Sequence, residues 1–191
     1  MVTARAPDGR PLGLTVNSFS SVSLNPPLIL WSLSRQAPSC PDFCRATHFA
    51  VNVLEARQHH LSRQFSTPLP DKFGGVEFAD GPARVPLLTG VIALFVCRKV
   101  WQYDGGDHII LVGEVEHYKY NEGEPLVFHS GRYRIATRHL RYCGMTRAGS
   151  RELGGSRQNC DNAPQGGPAS PLDTVWVPVL NTRPSHATRR S

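Results

Sequence analysis

The sequence predicts a mainly β protein, an antiparallel barrel with one or two short helices, and three observations carry that expectation. Gly (17) and Pro (16) punctuate the 191 residues, so turns are frequent. Two long runs rich in Val, Ile and aromatic residues, 90–103 and 108–120, flank Asp104-Gly105-Gly106-Asp107, a tight-hairpin signal. The remaining short apolar runs are separated by turn residues, not by the helical stretches of alternating βα units. The length suits one domain with a real core plus a tail, and excludes two full domains.

The elements follow in order. Val2-Thr3 is a shortened first strand, ended by the turn Arg5-Ala6-Pro7-Asp8-Gly9-Arg10-Pro11, and a second strand starts at Leu12. From Leu14 to Val22 apolar and small polar residues share the chain, and Asn25-Pro26-Pro27 breaks the ladder. Leu28 to Leu33 is apolar on both faces and reads as a central strand. Pro38 to His48 reads as a loop and short helix, and Phe49 to Leu54 as a strand. Between Glu55 and Phe65 a helix puts Leu61 and Phe65 on the core face and leaves Arg57, Gln58, His59 and His60 in water. Residues 66–90 are loop-like, with short strands at Val76–Phe78 and Val85–Leu88. After the long hairpin, Pro125 to His129 adds a short strand ending in Ser130-Gly131-Arg132-Tyr133-Arg134. Beyond Leu140 the periodicity dissolves, and only Thr174 to Leu180 is able to pair as a strand. The domain is therefore 1–140, followed by an Arg/Gly/Pro-rich, largely irregular tail, 141–191.

The formal net charge is +6, but residues 1–140 hold 14 basic and 12 acidic residues against 7 and 3 in the tail. A near-neutral body argues against a nucleic-acid surface, since the one dense basic run, Arg132-Tyr133-Arg134 with Arg138 and Arg141, is short. Five cysteines without a CxxC pair, and no leader ahead of them, point to a reducing cytoplasmic setting. The longest apolar stretch, Val91 to Cys97, is too short for a bilayer span. Cys40 and Cys44 with His48 fall short of four zinc ligands, so no metal is expected.

GxGxxG, P-loop, GxSxG and HExxH motifs are all missing. Three segments still carry chemistry. Thr15 to Ser23 concentrates five hydroxyls and the Asn17 amide; it suits the polar edge of a planar heteroaromatic ring, a phosphate, or simply a solvated edge strand. Ser32-Leu33-Ser34-Arg35 with Ser39 combines hydroxyls and a guanidinium as a phosphate cradle would. His108 and His129 sit at strand ends, either as ligand contacts or as structural histidines.

Taken in order, four motifs resemble those of one family: Thr15-x-Asn-Ser-Phe-Ser-Ser-Val-Ser-x-x-Pro-Pro-Leu28, Phe49-x-Val-Asn-Val-Leu54, Gly106-Asp-His-x-x-x-x-Gly113-x-Val115, and Pro125-Leu-Val-Phe-His129-x-Gly-Arg-Tyr133. The chain is similar to the flavin reductase-like family, short-chain NAD(P)H:flavin oxidoreductases with an FMN-binding split β-barrel. Many are reductase components of two-component flavin monooxygenases.

The resemblance implies a homodimer that binds FMN, or FAD in some members, near the subunit interface. It places Asn17, Ser18, Phe19, Ser20, Ser21 and Val22 along the flavin ring, and Ser32, Leu33, Ser34, Arg35 and Ser39 on its ribityl chain and phosphate. Phe49, Ala50, Val51 and Asn52 complete the flavin pocket; His129, Arg132 and Tyr133 meet NADH or NADPH, with His108 at the same mouth. Hydride transfer between stacked rings then needs orientation and electrostatics from the protein, with no metal or protein nucleophile. A flavin-binding split barrel without turnover and a related flavin-dependent oxidase are the alternatives; the Gly106-Asp-His108 and His129-x-Gly-Arg-Tyr133 motifs favour the reductase. Against the family pattern the first strand is shortened, which would expose a barrel edge, and residues 141–191 are extra.

Overall fold

The structure is a computed structural model that describes residues 1–136. The expected tail, including the pairing segment Thr174 to Leu180, lies outside the described residues. The chain forms β1 (Val2–Arg5), β2 (Pro11–Leu14), β3 (Ser20–Leu24), β4 (Pro27–Ser34), α1 (Cys40–Arg45), β5 (His48–Val53) and α2 (His59–Ser66). There follow β6 (Phe78–Asp80), β7 (Pro86–Leu88), β8 (Ala93–Gly105), β9 (His108–Tyr120), β10 (Leu126–His129) and β11 (Arg132–Ile135). Seven strands make one antiparallel sheet in the order β2-β1-β5-β8-β9-β4-β3, while β6-β7 and β10-β11 are separate two-stranded pairs. The mainly β, antiparallel architecture with short helices is the expected one.

Three local readings change. The first strand is longer than its sequence suggested and is no edge: β1 pairs with β2 on one side and β5 on the other. Asn25 and Pro26, joined by a cis peptide, do not end the ladder but turn it, because Leu24 lies opposite Pro27 across the β3–β4 hairpin. A proline in the turn and one at the first residue of a strand withhold no donor that the ladder needs. The helix expected from Glu55 begins as a 3₁₀ turn, Ala56–Gln58, before α2. Glu55 accepts from the Arg57 N–H (2.8 Å) while the Gln58 side chain accepts from the Glu55 N–H (3.0 Å), a reciprocal cap that fixes where the helix starts.

The long β8–β9 ribbon holds the sheet together, pairing Ala93 with Tyr120 at one end and Gly105 with His108 at the turn. Along β4 burial alternates: Ile29, Trp31 and Leu33 face the core, while Leu30, Ser32 and Ser34 face outward and are half-buried. Trp31 meets Phe43 of α1 and Phe49 of β5 edge-on, with ring centroids 5.3 and 5.9 Å apart. Gly113 of β9 sits over this cluster. A Cβ there would lie 2.5 Å from the Phe49 ring and 2.8 Å from the Cys97 Cβ, so the motif glycine is a packing requirement.

Beside the core, Asn52 of β5 is fully buried and fully bonded. Its Nδ2 donates to the Thr3 hydroxyl (3.0 Å), its Oδ1 accepts from the Leu88 N–H (3.0 Å), and Thr3 in turn donates to the Pro86 carbonyl (2.5 Å). Met1 N donates to the Asn52 carbonyl (3.0 Å), and the Asn52 N–H to the Met1 carbonyl (2.7 Å).

Gly113→Ala should cost about 1–3 kcal/mol through overpacking and lower the melting temperature by roughly 3–10 °C; an unchanged melting temperature would contradict the packing role.

Candidate functional site

A cavity of about 550 Å³ opens where the 15–19 loop, the end of β5, α2 and the β10–β11 hairpin converge. Each wall has a local cause. The loop leaves the β2 ladder after Leu14 and is pinned at both ends: Thr15 donates its hydroxyl to the Ser62 carbonyl (2.7 Å), and Ser18 Oγ accepts from the Ser32 N–H (2.8 Å) and donates to the Ser32 carbonyl (3.1 Å). Asn17 between these pins, and Phe19, Ser20 and Ser21 beyond the second, line the cavity. The Asn17 amide and the Ser21 hydroxyl engage no protein partner among the described residues and remain available to a ligand. The opposite wall is Val51 to Leu54, held from behind by Asn52.

Of the residues read from the sequence, Asn17, Ser18, Phe19, Ser20, Ser21, Val51, Asn52 and Tyr133 come together on this cavity. Val22 does not; it is exposed at the β3 bulge. Phe49 and Ala50 are buried core residues. Ser32, Ser34, Arg35 and His108 gather instead at the outer end of β4 and the β8–β9 turn, where Ser34 is paired with His108. Arg35 is engaged there: Nε donates to the Gly106 carbonyl (2.9 Å) and Nη2 pairs with Asp104 (2.9 Å). Arg35 and the Gly106 N–H hold the Asp104 carboxyl below the usual carboxylate range. His108 Nδ1 lies 2.7 Å from Asp107. Leu33 is buried, and Ser39 is the N-cap residue of α1 without a side-chain cap bond.

The β10–β11 hairpin separates the last motif. Phe128 pairs with Tyr133 and His129 with Arg132, so strand alternation sends Phe128 and Tyr133 to one face and His129 and Arg132 to the other. Phe128 and Tyr133 reach the cavity, their rings 5.3 Å apart; His129 and Arg132 are exposed away from it. Ser130 and Gly131, both with positive φ, make the two-residue turn that enforces this register.

Sequence reasoning missed Ser62 and Ser66. They lie four apart on α2 and line the cavity, and Ser62 Oγ accepts from the Tyr133 hydroxyl (3.2 Å). The available signal was a hydroxyl stripe next to the Leu61/Phe65 core face. Among the described residues no Lys, Arg, His, Asp or Glu side chain lines this cavity. Its walls join hydroxyl and amide groups on one side to Val16, Val53, Leu54, Leu126 and Phe128, which fits a flat heteroaromatic ring with one polar edge.

Comparison with known proteins agrees with that chemistry. A family profile described as "Flavin reductase like domain" matches residues 1–137. The chain is 44% identical over 133 residues to the FMN reductase (NADH) SmoA of Agrobacterium fabrum, covering 70% of this chain and 75% of that protein. It is 39% identical over 133 residues to the reductase component of the flavin-dependent trigonelline monooxygenase of Acinetobacter baylyi, covering 70% of this chain but only 43% of that longer protein. The NADH:FAD oxidoreductase SgcE6 of Streptomyces globisporus, solved with NAD and FAD fragments, superposes with a TM-score of 0.68 at 35% identity, over 73% of this chain and 84% of that one. With the profile spanning all the described residues and well over half of the 191, the chain belongs to the flavin reductase-like family.

Proposed function

We propose that this protein is an NAD(P)H-dependent flavin reductase of split-barrel form that supplies reduced flavin to a partner monooxygenase. The observation that carries the reading is the uncharged cavity between the Asn17–Ser21 loop and the Val51–Leu54 wall, with Tyr133 at its mouth. Its residues fit a flavin ring, FMN or FAD. The flavin, when bound, supplies the acceptor for the hydride of NADH or NADPH. The chain's own residues do the rest. Asn17 and Ser21 offer hydrogen bonds to the polar edge of the ring; Val53, Leu54 and Leu126 exclude water from its apolar part. Tyr133, oriented by its hydrogen bond to Ser62, would border the space left for the nicotinamide and help to orient it. Ser32, Ser34, Arg35 and Ser39 belong to the ribityl and phosphate end in this reading, reached along the outer face of β4 from the Ser18–Ser32 clamp. His108 at the β8–β9 turn, and His129 and Arg132 on the outer face of the β10–β11 hairpin, are solvent-accessible outside the cavity and in this reading serve the dinucleotide's polar parts.

The reading includes a homodimer in a reducing cytoplasm. Trp101 and Tyr103 are about half exposed, next to Val112 and Ile110 on the outer sheet face, and Val22 and Leu24 of β3 add further apolar surface. Such a patch on a small domain suits burial against a second copy. Cys40 and Cys44 keep separate thiols with sulfurs 4.0 Å apart, consistent with a reducing compartment. Supply of a monooxygenase is supported by the named role of the trigonelline monooxygenase component.

The decisive test follows the loss of nicotinamide absorbance with NADH and NADPH against FMN, FAD and riboflavin. At least one pairing should turn over, and inactivity with all of them would refute the proposal. In the same assay Asn17→Ala should weaken flavin binding about 3- to 10-fold, the loss of one hydrogen bond, with the fold intact. The dimer is checked separately by sedimentation: the wild-type chain should run as a dimer at micromolar concentration and Trp101→Asp should shift it toward monomer. A monomeric wild type would remove the dimer from the reading.

A further inference from the structure

Among the described residues three polar side chains are buried: Thr3, Asn52 and Ser62. Thr3 and Asn52 bond to each other and to the β7 backbone, and their burial is accounted for. Ser62, 6% exposed on α2, is the point where two walls of the cavity meet the helix. Thr15 of the loop donates to its carbonyl (2.7 Å), and Tyr133 of the β10–β11 hairpin donates to its Oγ (3.2 Å). Its neighbours Leu61 and Phe65 anchor α2 in the core, Phe65 standing edge-on to Phe73 with ring centroids 4.9 Å apart. The helix is therefore fixed in rotation, and Ser62 is held in the cavity lining.

The hydroxyl proton of Ser62 has an unusual standing. A serine within a helix commonly donates to a carbonyl one turn back. Ser66 does so, to the Arg63 carbonyl (2.8 Å), and the Thr67 hydroxyl takes the same acceptor (2.8 Å). Ser62 makes no such bond among the described residues; its only side-chain bond there is the one it accepts from Tyr133. A buried hydroxyl is thus left with its lone pair engaged and its proton unspent, on the wall of a cavity. An unmet buried polar group costs about 1–3 kcal/mol, so an acceptor brought in from the cavity gains a donor whose orientation is already set.

We propose that Ser62 is a ligand-binding residue that donates its hydroxyl to an acceptor atom, a carbonyl oxygen or an unprotonated ring nitrogen, of the heteroaromatic ring held in the cavity. The identity of that ring as a flavin rests on the flavin-reductase reading. Ser62 adds a donor on α2 to those that Asn17 and Ser21 offer from the loop and β3. It also makes the middle of a chain of bonds, from the Tyr133 hydroxyl to the Ser62 hydroxyl to the ring. Each bond in such a chain polarises the next, so Tyr133 strengthens the donor without touching the acceptor. Removing the Tyr133 hydroxyl weakens the contact, and removing the Ser62 hydroxyl abolishes it.

The test uses the full chain with riboflavin as the probe, since it carries the ring without a phosphate and its affinity reports the ring pocket alone. Binding is followed by quenching of flavin fluorescence and by the visible absorption band of the bound ring, in the wild type, Ser62→Ala, Tyr133→Phe and the double variant; thermal melting verifies that each is folded. Ser62→Ala should weaken riboflavin binding about 3- to 10-fold, the loss of one hydrogen bond, and shift the visible band. FMN affinity should fall by the same factor, and Tyr133→Phe should cause a smaller loss. In the Tyr133→Phe background Ser62→Ala should still weaken binding, because the donor is lost whether or not its own partner is present. Unchanged riboflavin affinity and spectrum in Ser62→Ala would overturn the inference. So would an effect of Ser62→Ala that disappears in the Tyr133→Phe background, which would show that Ser62 acts only by holding Tyr133. A wild type that binds none of riboflavin, FMN and FAD would remove the flavin reading and this contact with it.

Discussion

The side-chain amide of Asn52 is the interaction on which the site depends. It ties three strands that the sheet ladder alone does not bring together at this point, with Thr3 of β1 on one side, Leu88 of β7 on the other, and its own strand β5 between them. Each of its polar atoms has a partner, as a buried amide requires, and Thr3 in turn donates a hydrogen bond to the Pro86 carbonyl. The same residue is part of the cavity wall. Its amide is therefore spent inward, and what the wall presents to a ligand is a fixed surface. Loosening the knot would free the wall and the strand ends together, because a partly satisfied polar cluster is worse than an apolar one.

Much of the architecture was legible because it is written locally. Asp104-Gly105-Gly106-Asp107 placed the hairpin, and the Val/Ile-rich runs on either side gave β9 to the residue and β8 to within three residues. The Phe49–Leu54 run gave β5 with little error. Three features were hidden for different physical reasons. Asn25-Pro26-Pro27 reads as a break, yet a turn with a strand opening at proline satisfies the same chemistry and keeps the ladder. Ser62 and Ser66 look like ordinary helix surface until Thr15 and Tyr133 are brought to them from distant parts of the chain. A linear motif such as His129-x-Gly-Arg-Tyr133 also conceals its own geometry, since a two-residue turn forces neighbouring positions onto opposite faces.

That last constraint divides the candidate site. Residues that stand together in sequence are parted by strand alternation, while residues far apart are joined by one hydroxyl. Ser18 is the joint: it satisfies both backbone groups of Ser32 and so fixes the 15–19 loop, which bears the ring-edge donors, to β4, which bears the hydroxyls of the outer face. Arg35, at the far end of β4, is held by Asp104 and by the Gly106 carbonyl of the β8–β9 turn. An anion arriving there meets a guanidinium that already has a carboxylate partner in a solvent-exposed setting, where ion pairs are weak and exchange is inexpensive. The pair orients the arginine without locking it.

The distribution of charge follows from the same economy of burial. A ring that is to stack with another ring needs flat apolar contact and a few directional donors, and a buried charge beside it would cost more in desolvation than it returned. Among the described residues the cavity is lined by hydroxyls, the amides of Asn17 and Asn52, and apolar side chains. Polar side chains that could meet a phosphate stand outside it, with Arg35 and His108 at the β8–β9 turn and Arg132 on the outer face of the β10–β11 hairpin. In the proposed reading recognition is thereby divided: the enclosed part sets the geometry of the ring, and the exposed part meets the phosphorylated chain. Changes at the exposed positions would then leave the ring pocket as it is, because none of these side chains lines it.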